Sequence, residues 1–359
     1  MILMLRLPTN RTALSWVPWW LSAAIGRWRR KKGEYDKTTL ACFYSAWRRR
    51  PSLTNLIAYL RFRRDLGLTV PTRLLKPLLA SFVSFNPVTQ RRVFNWILEG
   101  RGEVQLDEFP SDTLRDLAES SPPAAAEMAQ RRELISSEAK ALATLQNMQE
   151  VWRDEFTAYL SANRDSICVV GNAATIVNNA IGRTIDTSSV VFRFNRFSIE
   201  TAQEASDGKL TTQLQEVGRR LDVWFFAPNI QTPYPPAVEA VEWVVLAGPD
   251  ARYHLADWGN IISLLGAHKK VLTVPLSIWR KLVRDLKAPP SAGILCLAWV
   301  IEMLGTPEGL KAAGFQRKSV PGMRYHFALH RHKPSRRHNW EGERTLLHRW
   351  ERQGLQFLD

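Results

Sequence analysis

Acidic residues are nearly missing from the first 64 positions. Fourteen Lys and Arg stand there against Glu34 and Asp36 alone, a net +12, and the other 295 residues hold only +3 of the chain's +15. The basicity is therefore regional, attached to an otherwise near-neutral globule. Such an arm can meet phosphates. The chain has no RNP-like aromatic pattern, no zinc-finger spacing and no helix-turn-helix pattern, so nothing reads bases and no nucleic-acid partner is expected. Cysteine is scarce: Cys42, Cys168 and Cys296 lie far apart with no C-x-x-C. That excludes a disulfide framework and a zinc site, and it leaves three small buried hydrophobes. There is no G-x-G-x-x-G and no Walker loop, no D-x-D pair, no His/Cys ligand cluster and no repeat of fixed period, so no bound cofactor or metal is expected. No apolar run reaches the roughly 20 residues that a spanning helix needs.

What is present begins with "TALSWVPWWLSAAIG", residues 12–26, between Arg11 and Arg27. Trp16, Trp19, Trp20 and Trp28 suit a headgroup zone, where an indole buries its ring and keeps its N–H wet. The Arg/Lys run that follows would meet anionic lipid. Segment 1–34 thus reads as a basic, Trp-rich, membrane-interfacial element. A signal peptide or signal anchor, and an amphipathic helix packed on the protein itself, are the other readings of the same pattern. Residues 35–125 form a mostly helical region. "TTLACFYSAWRRR", "LTNLIAYLRFRRDLG" and "PTRLLKPLLASFVSF" carry apolar residues three and four apart, punctuated by Pro51, Gly67 and Pro71. "SSPPAAA", 120–126, is a break, and 126–359 is the third segment.

From residue 166 the pattern changes. "SICVV", "SSVVFRF", "LDVWFFA", "VEWVVLAG" and "KVLTVP" are apolar, β-rich runs separated by helical stretches. Continuous apolar runs suit strands buried on both faces, and the alternation predicts an α/β fold, a Rossmann-like sheet flanked by helices. Ligands of such sheets sit where loops open at the carboxyl ends of strands. Gly171-Asn172 follows the first run and Asn195 ends the second. Gly171 allows a tight turn and a close ligand. Asn172 can cap a following helix or hold a phosphate, ribose or base. On spacing alone, a plain Gly-Asn turn with the asparagine as N-cap is the favoured reading of the pair.

The order Gly171-Asn172, Gly182, Ile185-Asp186, Arg193-Phe194-Asn195 resembles the large sialyl motif of glycosyltransferase family 29, the eukaryotic-type sialyltransferases. "EVGRRLDVWFFAPN", 216–229, resembles its continuation, with Val217-Gly218 at the family's Val-Gly pair. "APPSAGILCLAWVIEML", 288–304, resembles the small motif, here Pro290-Ser291-Ala292-Gly293. "RYHF", 324–327, lies where the family has its third motif, with Tyr325 or His326 in the place of the histidine. "HNWEGE", 338–343, resembles the very small motif, His338 and Glu343 separated by four residues. The resemblance covers about 160–350 and leaves residues 1–120 outside it.

The resemblance implies a sialyltransferase-like variant of the GT-A fold and a CMP-sugar as co-substrate rather than a cofactor. It implies an acidic sugar, sialic acid or Kdo-like, passed with inversion and without metal to a glycan or glycolipid. His338 would be the base, and His326 would hydrogen-bond the departing phosphate. Gly171, Asn172, Asn195, Ser291, Ala292 and Gly293 would bind the donor, with Arg193, Asp186 and Glu343 in support. The chain departs from the family where a disulfide joins the large and small motifs: Ile167 and Leu304 stand at those positions. Ala292 replaces the usual threonine. A missing bridge suits a reducing compartment, so the expected enzyme is a divergent, bacterial-type member. It would be cytoplasmic and peripheral on the inner membrane surface, with a Golgi membrane enzyme as the other placement. The contrasting reading is a catalytically inactive peripheral membrane or nucleic-acid-binding protein that works through its basic arm.

Overall fold

The computed structural model describes residues 17–68, 74, 85, 139–176, 179–195, 197, 217–227, 241–249, 258–318, 335 and 337–358. They divide into two compact units. One contains the described residues of 1–132, 280–289 and 336–339. The other contains those of 133–279, 290–335 and 340–359.

The first unit is built on three helices, α1 (Trp19–Lys31), α2 (Lys37–Arg49) and α3 (Leu53–Asp65). Their starts are written in the sequence. Asp36 caps α2 by accepting from the Thr39 N–H at 2.8 Å, and Ser52 caps α3. Such caps satisfy amide donors that the first turn leaves open. Helix α1 lays its small face, Ser22, Ala23 and Gly26, inward. A Cβ at Gly26 would stand 3.2 Å from the Phe43 ring of α2, so glycine sets how closely the two helices approach. Phe43 in turn packs on Phe62 of α3, and Tyr35 stacks on the same ring at 5.4 Å. Each such ring contributes about 1.5–3 kcal/mol through burial. Arg29 bonds Thr39 and pairs with Glu34 and Asp36, closing the α1–α2 corner. No helix among the described residues is long and apolar enough to cross a membrane.

The second unit is a seven-stranded, wholly parallel sheet in the order β5-β4-β3-β2-β1-β6-β7. The strands are β1 (Ile167–Val170), β2 (Val190–Phe194), β3 (Val223–Phe226), β4 (Trp243–Pro249), β5 (Lys270–Val274), β6 (Leu310–Ala313) and β7 (Gln356–Phe357). The five apolar runs of the sequence supply β1 to β5. β6 and β7 come from "LKAA" and "QF", too short and too weakly β-forming to be read as strands. The helices are α4 (Ala139–Ala162), α5 (Gly182–Asp186), α6 (Trp258–Gly266), α8 (Ala292–Leu304) and α9 (Trp340–Arg352), and α7 (Leu276–Leu286) starts in this unit and from residue 280 belongs to the first. The predicted α/β sheet with helices is thus present, after a helical N-terminal region.

Phe156 of α4 packs against Trp243 at 4.9 Å, Trp299 of α8 at 5.7 Å and Phe192 at 6.2 Å, which joins two helices to one face of the sheet. The edge strand β5 is closed by α4. Gln149 accepts from the Thr273 N–H and donates to the Val271 carbonyl, and Arg153 donates to the Thr273 carbonyl. Side chains thereby satisfy backbone groups that would otherwise template another strand. All three cysteines are buried and none forms a disulfide, as expected of small hydrophobes. Burial pushes the Cys296 thiol well above its ordinary pKa.

Candidate functional site

Strand order fixes where a ligand crevice can open. The chain steps from β1 outward through β5, then returns to lay β6 on the other side of β1. The direction of winding therefore reverses between β1 and β6, and open parallel sheets hold ligands at the carboxyl ends of strands flanking such a reversal. Gly171 follows β1 and Gly314 follows β6. The Gly171 N–H donates to the Ala313 carbonyl at 2.8 Å, and the Ala173 N–H to the Gly314 carbonyl at 3.0 Å. A Cβ on Gly171 would run into the Gly314 carbonyl oxygen, and one on Gly314 into the Gly171 carbonyl oxygen. The close approach anticipated for Gly171 is thus made by another backbone segment. Gly293, in the first turn of α8, has a similar role: its missing Cβ leaves room for the Phe315 ring, which would otherwise stand 2.7 Å away. Ala292 opens α8 after Ser291.

The two asparagines stitch strand ends. The Asn172 side-chain amide donates to the Phe194 carbonyl at the end of β2 at 3.2 Å. The segment after it is a short 3-10 turn, Ala174–Ile176. Asn195 adopts φ 48°, a left-handed conformation that asparagine tolerates better than most residues. Its N–H donates to the Phe225 carbonyl, its Oδ1 accepts from the Ala227 N–H at 2.8 Å, and its carbonyl accepts from Trp224 Nε1 at 3.0 Å. The carboxyl ends of β1, β2 and β3 are tied through these two side chains.

Asp186 and Arg193 lie behind that edge. Arg193 sits on β2 at 2% exposure. Its Nε donates to the Arg220 carbonyl and its Nη2 to the Val217 carbonyl, each at 2.8 Å. Burial lowers its pKa to about 10, and Asp186 partly opposes the shift. The group stays charged at neutral pH. The Asp186 carboxylate accepts from the backbone N–H groups of Arg219 and Arg220 at 2.7 and 2.8 Å. That geometry needs Gly218, which has φ 69° and whose Cβ would meet Asp186 Oδ1 at 2.5 Å. Ile-Asp, Arg-x-Asn and Val-Gly, far apart in sequence, therefore form one brace. Ile185 and Val217, next in sequence to Asp186 and Gly218, belong to a buried cluster with Cys168, Val170, Ile176, Val191 and Ala313.

Ser291 and Glu343 form the other polar focus of this unit. Glu343, on α9, is buried and accepts from the Ser291 N–H at 2.8 Å and the Ser291 hydroxyl at 2.7 Å. Ser291 also caps α8 by accepting from Ile294 N–H. Its hydroxyl proton is committed to Glu343 and its lone pairs face the helix start. Burial pushes the Glu343 carboxyl up to about 7, against the two Ser291 hydrogen bonds, which pull it down. At neutral pH Glu343 is poised between acid and carboxylate.

His338 belongs to the helical unit. Its Nδ1 lies 2.9 Å from the Pro289 carbonyl oxygen. A carbonyl can only accept, so Nδ1 carries the hydrogen and Nε2 carries the lone pair in the neutral ring. That is the tautomer a proton acceptor needs. Asn339 and Arg337 hold the same segment in the unit. The Asn339 amide donates to the Leu286 carbonyl at 2.8 Å, and Arg337 pairs with Asp65 at 2.9 Å. His326 lies outside the described residues. Sequence reasoning missed the Pro289 carbonyl and Phe315, because neither a backbone acceptor nor a packing ring leaves a mark on residue type.

No protein-family model matches the chain, and no curated protein matches it. Among solved structures, the chain is similar to the crystal structure of a mammalian sialyltransferase, with TM-score 0.39, 16% identity, and coverage of 53% of this chain and 67% of that one. It is also similar to a mammalian sialyltransferase in complex with Gal-beta-1-3GalNAc-ortho-nitrophenol, with TM-score 0.38, 15% identity, and coverage of 53% and 68%.

Proposed function

We propose that the chain is a glycosyltransferase of the sialyltransferase type. It would pass an acidic 2-keto sugar, sialic acid or Kdo-like, from a CMP-sugar to a hydroxyl of a glycan or glycolipid. The observation that carries this reading is the position of Asn172 and Asn195. Two motif asparagines stand at the carboxyl ends of adjoining strands, beside the winding reversal at β1 and β6, where an open parallel sheet takes a nucleotide. The ordered motif resemblance of residues 171–343 supports the same class.

The chemistry follows from the groups present. The acceptor hydroxyl attacks the anomeric carbon as the bond to the CMP phosphate breaks, and a single displacement inverts the centre. His338 Nε2 takes the hydroxyl proton, a task suited to an imidazole near neutral pH. The departing phosphate leaves as CMP, stabilised by His326 and backbone N–H groups without a metal. Ser291, Ala292 and Gly293 would face the donor's phosphate or carboxylate, and Glu343 fixes Ser291 for that role. The basic helical unit would hold the enzyme at an anionic membrane surface on the cytoplasmic side.

A thermal-shift titration of the full chain with CMP, UMP, AMP and GDP, with and without EDTA, tests the donor site. Selective stabilisation by CMP that survives EDTA is the expected result. Equal shifts with all four nucleotides, or none with any, would remove the cytidine site and with it this reading. A second reading, a membrane-binding protein with an inert sheet, is favoured by the exposed Trp20 and Trp28. It predicts vesicle binding with no response to CMP.

A further inference from the structure

The helical unit contains a pocket of about 310 Å³ lined by Arg27, Arg30, Lys31, Tyr35 and Arg337. That volume is near the lower end for small-ligand sites, which run from about 300 to 1,000 Å³. Four of the five lining side chains are cationic. One carboxylate organises two of them: Asp65, almost buried, accepts from Arg30 at 3.1 Å on Oδ2 and from Arg337 at 2.9 Å on Oδ1. Asp65 neutralises one charge and orients two guanidinium groups. Arg27 and Lys31, both exposed, have no ion pair with any described residue. The pocket keeps an excess of three positive charges and an aromatic wall, since Tyr35 is held by stacking on Phe62.

The same helix supplies a second, independent feature. Trp20 and Trp28 are 56% and 53% exposed, the two most exposed large hydrophobic residues of the described chain. Trp20, Arg27 and Lys31 recur at intervals of seven and four residues, which puts them on one stripe of α1. Trp28 lies at the border of that stripe, with Lys32 over its ring. An exposed indole beside unpaired cations suits the headgroup layer of a bilayer, where the ring enters the interface and the charges meet phosphate.

We propose that this pocket is a phosphate-ester site that takes the phosphomonoester headgroup of an anionic lipid, with Trp20 and Trp28 entering the interface beside it. The inference deepens the membrane-surface part of the proposed function and does not depend on the transfer reaction. A phosphomonoester presents up to two negative charges and three acceptor oxygens at one point, and guanidinium forks recognise such a group in bidentate fashion. A diffuse basic surface would respond to charge density alone, whereas a built pocket distinguishes a phosphomonoester from a phosphodiester of equal surface charge.

The experiment is vesicle co-sedimentation of the full chain. Vesicles of phosphatidylcholine are doped with phosphatidic acid or with phosphatidylglycerol, matched in zeta potential. Tighter binding to phosphatidic acid is expected. The double variant R27E/K31E should lose that binding by about tenfold or more, while K37E/R48E, which reverses two exposed charges outside the pocket lining, loses less. Circular dichroism and CMP-induced stabilisation, where wild type shows it, are read on each variant, so a failed fold or a failed nucleotide site is separated from a failed lipid site. Equal binding to both lipids, or equal losses in the two double variants, would overturn the proposal in favour of a diffuse basic surface. Saturable binding of inorganic phosphate with no preference for phosphatidic acid would overturn it in favour of a soluble phosphate ligand.

Discussion

Arg193 in the sheet unit and Arg27 in the helical unit carry the same guanidinium to opposite ends. Arg193 is buried on β2 and spends its donors on two backbone carbonyls. Arg27 is exposed, lines a pocket and has no ion pair among the described residues. The contrast extends to their surroundings. In the sheet unit, conspicuous polar residues are turned inward: Asp186 onto backbone N–H groups, Asn195 onto Ala227, Glu343 onto Ser291. In the helical unit, Arg27 and Lys31 face outward, and one histidine has its tautomer set by a carbonyl. A motif residue is therefore not automatically a residue that touches substrate. Several of those in residues 171–218 hold strand ends and backbone in place, and only burial and partner tell the two roles apart.

The sharpest way to break this contrast is to remove the brace. Arg193→Met should destabilise the chain by about 3 kcal/mol or more, since two charge-assisted hydrogen bonds at about 1.5–3 kcal/mol each disappear and the buried Val217 carbonyl loses its donor. Urea unfolding measures it. A loss below about 1 kcal/mol would show that water replaces the guanidinium and that the brace is dispensable.

The next effect is a pH dependence. The folded pKa of Glu343, about 7, lies above its ordinary value of 4.5. Between those two values the folded state binds more protons than the unfolded one, so its contribution to stability declines as pH rises and levels off above about pH 7. The decline is at most about 3 kcal/mol. Glu343→Gln, which mimics the protonated acid, should flatten stability between pH 4.5 and pH 7 in thermal melts. An unchanged slope would mean the carboxyl is ionised throughout that range.

Gly171→Ala should cost about 1–3 kcal/mol, the usual range for forcing a group into packed backbone. It should also displace the β6 end, readable as lost protection of the Gly171 and Ala173 amides in hydrogen exchange. A neutral effect would show that the Gly171–Gly314 approach relaxes freely. The smallest change belongs to the helical unit: Asp36→Ala removes the α2 cap and should cost about 1 kcal/mol, without altering CMP-induced stabilisation. A larger loss would show that the Asp36–Arg29 pair adds to stability beyond the cap.

Much of the sheet was legible because its central strands are continuous apolar runs, and "SICVV" to "KVLTVP" became β1 to β5. The other half of the winding was not. "LKAA" is a strand only because β1 offers it an unpaired edge, a fact absent from its own residues. Asn172 and Asn195 could be placed at strand ends from sequence. Their bonding partners depend on the register of three strands and could not. The small face of α1 was hidden for a related reason: tryptophans dominate the pattern of residues 12–28, while Ser22, Ala23 and Gly26 make the contact with α2. "PTRLLKPLLASFVSF", read as helical, lies almost wholly outside the described residues.

The central proposal is that His338 acts as the base of transfer from a CMP-sugar. His338→Ala tests it most directly. Transfer from CMP-sialic acid and CMP-Kdo to candidate glycan and glycolipid acceptors would be measured beside CMP-induced stabilisation in the wild type and the variant. The account predicts wild-type transfer with at least one donor, a loss of about 10²–10⁴ in rate in the variant, and nucleotide binding that is kept. Full transfer in His338→Ala would contradict it.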